Sequence, residues 1–157
     1  MQNVNLLVWS PAYSVGIQAA DDQHRRLCEL INDLSHHVSG NEDEEREYFR
    51  GAIQQVVQYV KVHFVAEEET MLRKKHEGHH EHKKIHDAFI ITVVDYIRDF
   101  EAGKKFNRAS FTEFLNGWVL SHIAIMNKRY FTYYKQMPAG RADEKLTITI
   151  DDVNRRC

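Results

Sequence analysis

The feature that most constrains this sequence is a helical spacing of apolar residues that recurs in four successive segments. Apolar side chains return every three or four residues over about 21–38, 45–75, 80–102 and 108–136. This spacing places them along one side of an α-helix. The connections are short, and Gly103 is expected to end the third helix. The pattern predicts an all-α fold, an antiparallel (up-down-up-down) four-helix bundle.

The chain is long enough to bury one hydrophobic core. It has 157 residues, 43% of them hydrophobic, which is typical of a single globular domain. We assign residues 1–137 to the bundle, with 1–20 as an N-terminal arm and Asp21 or Asp22 as the cap of the first helix. Residues 138–157 form a short C-terminal tail, in which the alternating stretch LTITI predicts a short strand.

Composition argues against several classes of function. The net charge of −2 carries no basic excess, so we expect no nucleic-acid partner. The longest apolar runs, such as 88–94, are far too short to span a membrane. Cys28 and Cys157 lie far apart and form neither a disulfide framework nor a zinc pair, which favours a reduced, cytoplasmic location. A protein partner or a homo-oligomer remains open.

Histidines lie on the apolar sides of all four predicted helices. A buried imidazole without a partner is costly, so several of them on facing helices indicate a shared ligand. His63 precedes Glu67 by four residues, as His82 precedes His86. Residues four apart share one face of a helix, so each pair can offer two ligands to one ion. The candidate metal ligands from the pattern are His24, His63, Glu67, His82, His86 and His122.

Imidazole and carboxylate groups do not by themselves select one metal. They suit iron, zinc, manganese or copper. From the residues alone, the sequence therefore predicts a metal site in the bundle and leaves the metal open.

The order of these motifs resembles the hemerythrin family. The matching stretches are D-x-Q-H at 21–24, H-F-x-x-E-E-x-x-M at 63–71, H-x-x-x-H at 82–86 and W-x-x-x-H-I at 118–123, within about 9–134. The resemblance implies a four-helix bundle that binds dioxygen reversibly at a non-haem centre of two iron ions.

By position, the resemblance also implies a ligand set. One iron would be bound by His82, His86 and His122. The other would be bound by His24 and His63, and Glu67 would be the carboxylate that bridges the two. The family's second bridging carboxylate is an aspartate, and Asn127 stands at that position. An amide is neutral and offers one good acceptor oxygen, whereas a carboxylate is anionic and offers two. We therefore expect a weakened or asymmetric site, with two irons or only one.

The resemblance further implies an apolar pocket for dioxygen beside the metal. Dioxygen binding requires that water be kept from the open metal position. The residues at the family's pocket positions carry no acid or base, which favours binding over catalysis and predicts that the protein is not an enzyme. They are Leu27, Phe64, Trp118, Val119 and Ile123.

Three other interpretations fit parts of the sequence. One is an iron centre that reacts with peroxide or nitric oxide, and another is an interaction module that senses iron or oxygen. The third is a zinc protease, because HEGHH at 76–80 fits the pattern H-E-x-x-H. That chemistry needs both histidines on one unbroken helix, whereas Gly78 lies at a predicted junction between helices. Cys28 is expected to be a buried, unreactive thiol.

Overall fold

The computed structural model describes residues 7–37, 39–127, 129, 132 and 136. These residues form helices and turns and include no strand, which confirms the all-α class. The helices are α1 (Gln18–His36), α2 (Glu42–Tyr59), α3 (Val65–Arg73), α4 (His79–Glu101) and α5 (Arg108–Trp118). Two π-helical segments, π1 (Val60–Phe64) and π2 (Val119–Asn127), join α2 to α3 and extend α5. A 3-10 turn, Pro11–Tyr13, precedes α1.

The chain divides into two compact units. The first contains the chain up to His36 and from Ala109 onward, and in it α1 and the 3-10 turn both contact π2. The second unit, His37–Arg108, contains the continuous run from α2 to α3 and the helix α4. Because α4 contacts α3 and then α2 after a short turn, this unit is an antiparallel helical hairpin.

Local capping explains where the second unit's helices begin and end. The Asn41 side chain accepts hydrogen bonds from the backbone N–H groups of Asp43 and Glu44, at 2.9 and 3.2 Å, so α2 begins slightly before the predicted position. At the other end, α4 stops at Glu101, and Gly103 adopts a positive φ of 77°. Gly103 therefore ends this helix as predicted, since glycine tolerates that conformation.

The prediction that Asp21 or Asp22 caps α1 is wrong. The helix begins earlier, at Gln18, and Asp21 lies in its first turn. The Asp21 carboxylate instead accepts hydrogen bonds from the Val15 backbone N–H at 2.8 Å and the Ser14 hydroxyl at 2.7 Å. It therefore fastens the N-terminal arm to the helix, because its acceptor oxygens are used by the preceding chain.

The core consists mainly of the predicted apolar positions. Leu34, Val56, Phe111 and Leu115 are completely buried. Ile125 continues the apolar spacing of the fourth segment, which predicts that it faces the core, but it is 51% exposed. It lies within π2, where the backbone hydrogen bonds span five residues, so the faces of the helix no longer follow the spacing of an α-helix.

Two further predictions bear on the ends of the chain and on membranes. The tail at 138–157, with its predicted strand, lies outside the described residues. Within the part of the chain that the structure describes, no helix combines the length and apolarity needed to cross a membrane.

Cys28 lies in the core of α1. It is 1% exposed, and burial, with a smaller contribution from the negative charge of Glu29, raises the pKa of its thiol to about 11. Desolvation penalises the thiolate, which is the reactive form. The structure therefore supports the prediction of an unreactive thiol.

Replacing Asp21 with alanine should destabilise the fold by about 2–3 kcal/mol, because it leaves the buried Val15 N–H without its acceptor and frees the arm. Urea unfolding followed by circular dichroism measures the change. Asp22→Ala is the matched control, since Asp22 is 43% exposed and pairs with Gln18 and Arg25 on its own helix. Equal losses in the two variants would contradict the role given to Asp21.

Cys28 should react slowly with a thiol reagent in a Cys157→Ala variant. At pH 8 only about one Cys28 thiol in a thousand is ionised at this pKa, and burial blocks access as well. We expect a rate at least about a hundredfold below that of the unfolded chain. The rate should rise about tenfold per pH unit between pH 8 and 10. Comparable rates in the folded and unfolded chains would show that the thiol is not buried.

Candidate metal centre

The second unit buries four predicted ligands on its two helical runs. His63 lies in π1 and Glu67 in α3, while His82 and His86 lie in the first half of α4. Their exposed fractions are 2%, 4%, 4% and 0%. Each pair is four residues apart, and the antiparallel hairpin brings the two pairs to the same level. Spacing within each helix, together with the chain reversal between them, assembles the cluster.

The three imidazoles of this cluster approach one carboxylate oxygen. Glu67 Oε2 lies 3.2 Å from His82 Nε2, 3.2 Å from His86 Nε2 and 3.6 Å from His63 Nε2. Two atoms that bind one ion at about 2.1 Å are about 3.0–3.4 Å apart at tetrahedral or octahedral angles. The distances from Glu67 Oε2 to His82 Nε2 and to His86 Nε2 therefore already match the separation of two ligands that bind one metal ion.

Aromatic rings and a second carboxylate orient these histidines. Phe64 stacks on His86, with ring centroids 3.8 Å apart and an angle of 6° between the planes. Tyr59 stacks on His63 in the same way, at 4.9 Å and 16°. Glu68 Oε1 lies 2.7 Å from His86 Nδ1. The sequence pattern missed Glu68 because it points away from Glu67 on its own helix, and only the neighbouring helix reveals its role.

The first unit buries the remaining predicted ligands. His24 in α1 and His122 in π2 are 0% and 1% exposed. Trp118 stacks on His122 at 4.0 Å and 16°, and Trp9 of the arm lies 6.4 Å from the His24 ring. The family motif D-x-Q-H thus lies where Asp21 fastens the arm, which brings Trp9 toward His24.

Asn127 is completely buried beside His24. Its Nδ2 donates a hydrogen bond to His24 Nε2 over 3.4 Å. Asn127 follows His122 by five residues, and both lie in π2, where the backbone hydrogen bonds join residues five apart. The π-helix therefore allows these two side chains to share one face. An aspartate would offer only acceptor oxygens here, whereas the amide N–H occupies a nitrogen lone pair that a metal would use.

The predicted dioxygen-pocket residues are all buried. In the first unit, the exposed fractions are 3% for Leu27, 7% for Trp118 and 0% for Val119 and Ile123. In the second unit, Phe64 is 2% exposed. Each residue is thus apolar and shielded from water, as a dioxygen pocket requires. Their role around dioxygen stays a prediction.

The structure gives no support to the zinc-protease pattern. His76 precedes α4 and its Nδ1 accepts a hydrogen bond from the Gly78 N–H at 3.0 Å, whereas His80 lies inside the helix. The two histidines of H-E-x-x-H therefore do not share one unbroken helix. Burial, followed by the charge of His82, lowers the pKa of His76, so its neutral form is favoured.

The chain is similar to known proteins of one family. Residues 15–134 match the family described as the hemerythrin HHE cation binding domain. A bacteriohemerythrin from Stenotrophomonas maltophilia (strain R551-3) is 36% identical over 118 residues, which is 75% of this chain and 74% of that protein. A bacteriohemerythrin from Methylococcus capsulatus (strain ATCC 33009 / NCIMB 11132 / Bath) is 28% identical over 127 residues, covering 80% and 94% of the two chains.

A solved structure extends this likeness to the fold. Wild-type hemerythrin superimposes with a TM-score of 0.68 at 28% identity, covering 82% of this chain and 97% of that chain. This confirms the predicted four-helix bundle. The buried donors are imidazole and carboxylate groups, which suit the ferrous and ferric ions. The chain therefore belongs to the hemerythrin family, and non-haem iron is the cofactor implied by that family and suited to its histidine and glutamate donors.

Proposed function

We propose that this chain binds dioxygen reversibly at a non-haem iron centre and is not an enzyme. The observation that carries the proposal is Glu67 Oε2, which is buried and has the Nε2 atoms of three histidines within 3.2–3.6 Å. Such an arrangement suits a cation, because a buried carboxylate needs positive charge nearby. When bound, the iron supplies the electrons that dioxygen binding requires.

The proposed ligands follow the family correspondence. His82, His86 and His122 would hold one iron, His24 and His63 would hold the other, and Glu67 would be the carboxylate shared between them. Glu67 suits a bridging role because a carboxylate offers two acceptor oxygens, and its Oε2 already lies within 3.6 Å of Nε2 of His63, His82 and His86. Leu27, Phe64, Trp118, Val119 and Ile123 would exclude water from the dioxygen position. They offer no acid or base, which supports binding over turnover.

The two iron positions differ in strength in this proposal. Two ferrous ions with two carboxylates and one hydroxide carry about +1 in total, whereas Asn127 in place of the second carboxylate leaves about +2. Excess charge in a buried site is costly. Asn127 also donates to His24 Nε2 and so competes with a metal for that nitrogen. The iron on His82, His86 and His122 should therefore bind more tightly than the iron on His24 and His63.

The first test is iron content with an optical spectrum, measured on the anaerobically reduced protein and again after exposure to air. We expect one tightly bound iron per chain, a second that dissociates more readily, and a charge-transfer band that appears with oxygen and disappears on deoxygenation.

Matched histidine variants make this test specific. His82→Ala should lose the tight iron and the band, whereas His36→Ala should keep both, because His36 is exposed at the end of α1. An absence of iron or of the oxygen-dependent band in the unaltered protein would contradict the proposal. Sustained turnover of peroxide would favour the enzymatic alternative instead.

Asn127→Asp tests the cause of the asymmetry. The new carboxylate should tighten the second iron at least tenfold, because it restores a negative bridging group and removes the N–H that faces His24. Without iron, the buried carboxylate should lower the melting temperature, and iron should then raise it by more than in the unaltered protein.

Asn116→Asp is the matched control, since it adds the same charge on α5 at a partly exposed position. It should leave iron affinity unchanged within about twofold. If Asn127→Asp left the second iron as weak as before, the amide would not be the cause of the difference.

A further inference from the structure

Glu68 lies directly behind one of the proposed ligands. Its Oε1 is 2.7 Å from Nδ1 of His86, the short distance typical of a hydrogen bond to a charged group. His86 is completely buried, and its opposite nitrogen, Nε2, is 3.2 Å from Glu67 Oε2. The imidazole of His86 therefore lies between two carboxylates that are neighbours in sequence.

The hydrogen bond to Glu68 determines which nitrogen of His86 carries the proton. An ionised carboxylate only accepts hydrogen bonds, so Nδ1 must be the donor. When a metal ion takes the place of the proton on Nε2, the electron pair of that nitrogen is directed toward the Glu67 side, whereas without a cation an Nε2–H can donate to Glu67 Oε2. A histidine whose second nitrogen donates to a carboxylate is held in orientation and becomes a stronger metal ligand.

We propose that Glu68 is a positioning residue for the metal centre, which holds His86 in the Nδ1–H tautomer and in the ring orientation that iron binding requires. The effect on iron rests on the proposed function, whereas the effect on the tautomer does not. Phe64 restricts the same ring by stacking, but stacking alone does not distinguish Nδ1 from Nε2. The carboxylate is needed for that distinction.

The other carboxylate oxygen of Glu68, Oε2, makes a weaker interaction. It is 3.7 Å from Lys83 Nζ, and Lys83 makes a closer pair with Asp87, at 2.8 Å. Lys83 and Asp87 are 46% and 49% exposed, and pairs this exposed contribute little. The contact that matters is therefore the one between Glu68 and His86. Asp87 offers a control, since it carries the same charge nearby and its carboxylate pairs with Lys83.

The first experiment measures the affinity for Fe²⁺ under anaerobic conditions, by competition with a coloured chelator. Glu68→Ala should weaken the tight iron by about 10- to 100-fold. Glu68→Gln keeps an acceptor oxygen and loses the charge, so its loss should be smaller. Asp87→Asn should remain within about twofold of the unaltered protein. Unchanged affinity in Glu68→Ala, with the helical circular dichroism retained, would overturn the proposal.

The second experiment needs no metal. Nitrogen-15 NMR of the imidazoles in the metal-free chain, with His86 assigned from a His86→Gln variant, reports the tautomer directly. We expect a proton on His86 Nδ1 in the unaltered protein and a shift of the proton from Nδ1 toward the Nε2–H form in Glu68→Ala, or in Glu68→Gln if the alanine variant does not fold. The same tautomer in the unaltered protein and the variant overturns the inference. If the unaltered chain binds no iron, the proposed function fails while this measurement still decides the role of Glu68.

Discussion

The structure depends on how one buried carboxylate is compensated. Glu67 is 4% exposed, and an isolated charge at such a position would cost several kcal/mol, about the margin by which a domain of this size is stable. The helical hairpin offsets this cost by placing imidazoles from both of its helical runs near the carboxylate. His63 comes from the run that joins α2 to α3, and His82 and His86 come from α4. Imidazoles can compensate a carboxylate as hydrogen-bond donors or, with a cation bound, as fellow ligands.

The aromatic residues around the histidines serve the same constraint. Phe64 and Tyr59 stack on His86 and His63, and Trp118 stacks on His122. A stacked ring cannot rotate freely, so each nitrogen is held in place before any ion arrives. This lowers the conformational entropy lost on binding. Aromatic residues in this fold therefore both form the core and orient the histidines. In our proposal, the carboxylate of Glu68 also selects the tautomer of His86.

The π-helical segments show how helical spacing is adapted to the candidate site. π1 contains His63, and π2 contains both His122 and Asn127. In an α-helix, residues five apart point in different directions, whereas the wider turn of a π-helix brings them nearer to one face. The same change turns Ile125 outward, to 51% exposed. The spacing that suits the candidate ligands thus leaves an apolar side chain exposed to solvent.

The sequence by itself determined the helical content, the turn at Gly103 and the burial of the histidines, because helical periodicity and glycine conformation are local properties. It also identified His63, Glu67, His82 and His86 as residues that share faces. Tertiary structure alone decided that Asp21 fastens the arm rather than capping α1, and that Glu68 reaches His86. Each of these contacts joins residues whose proximity depends on how the backbone folds back, which no periodic pattern encodes. The π-helical geometry at Asn127 was likewise invisible to a spacing argument that assumes an α-helix.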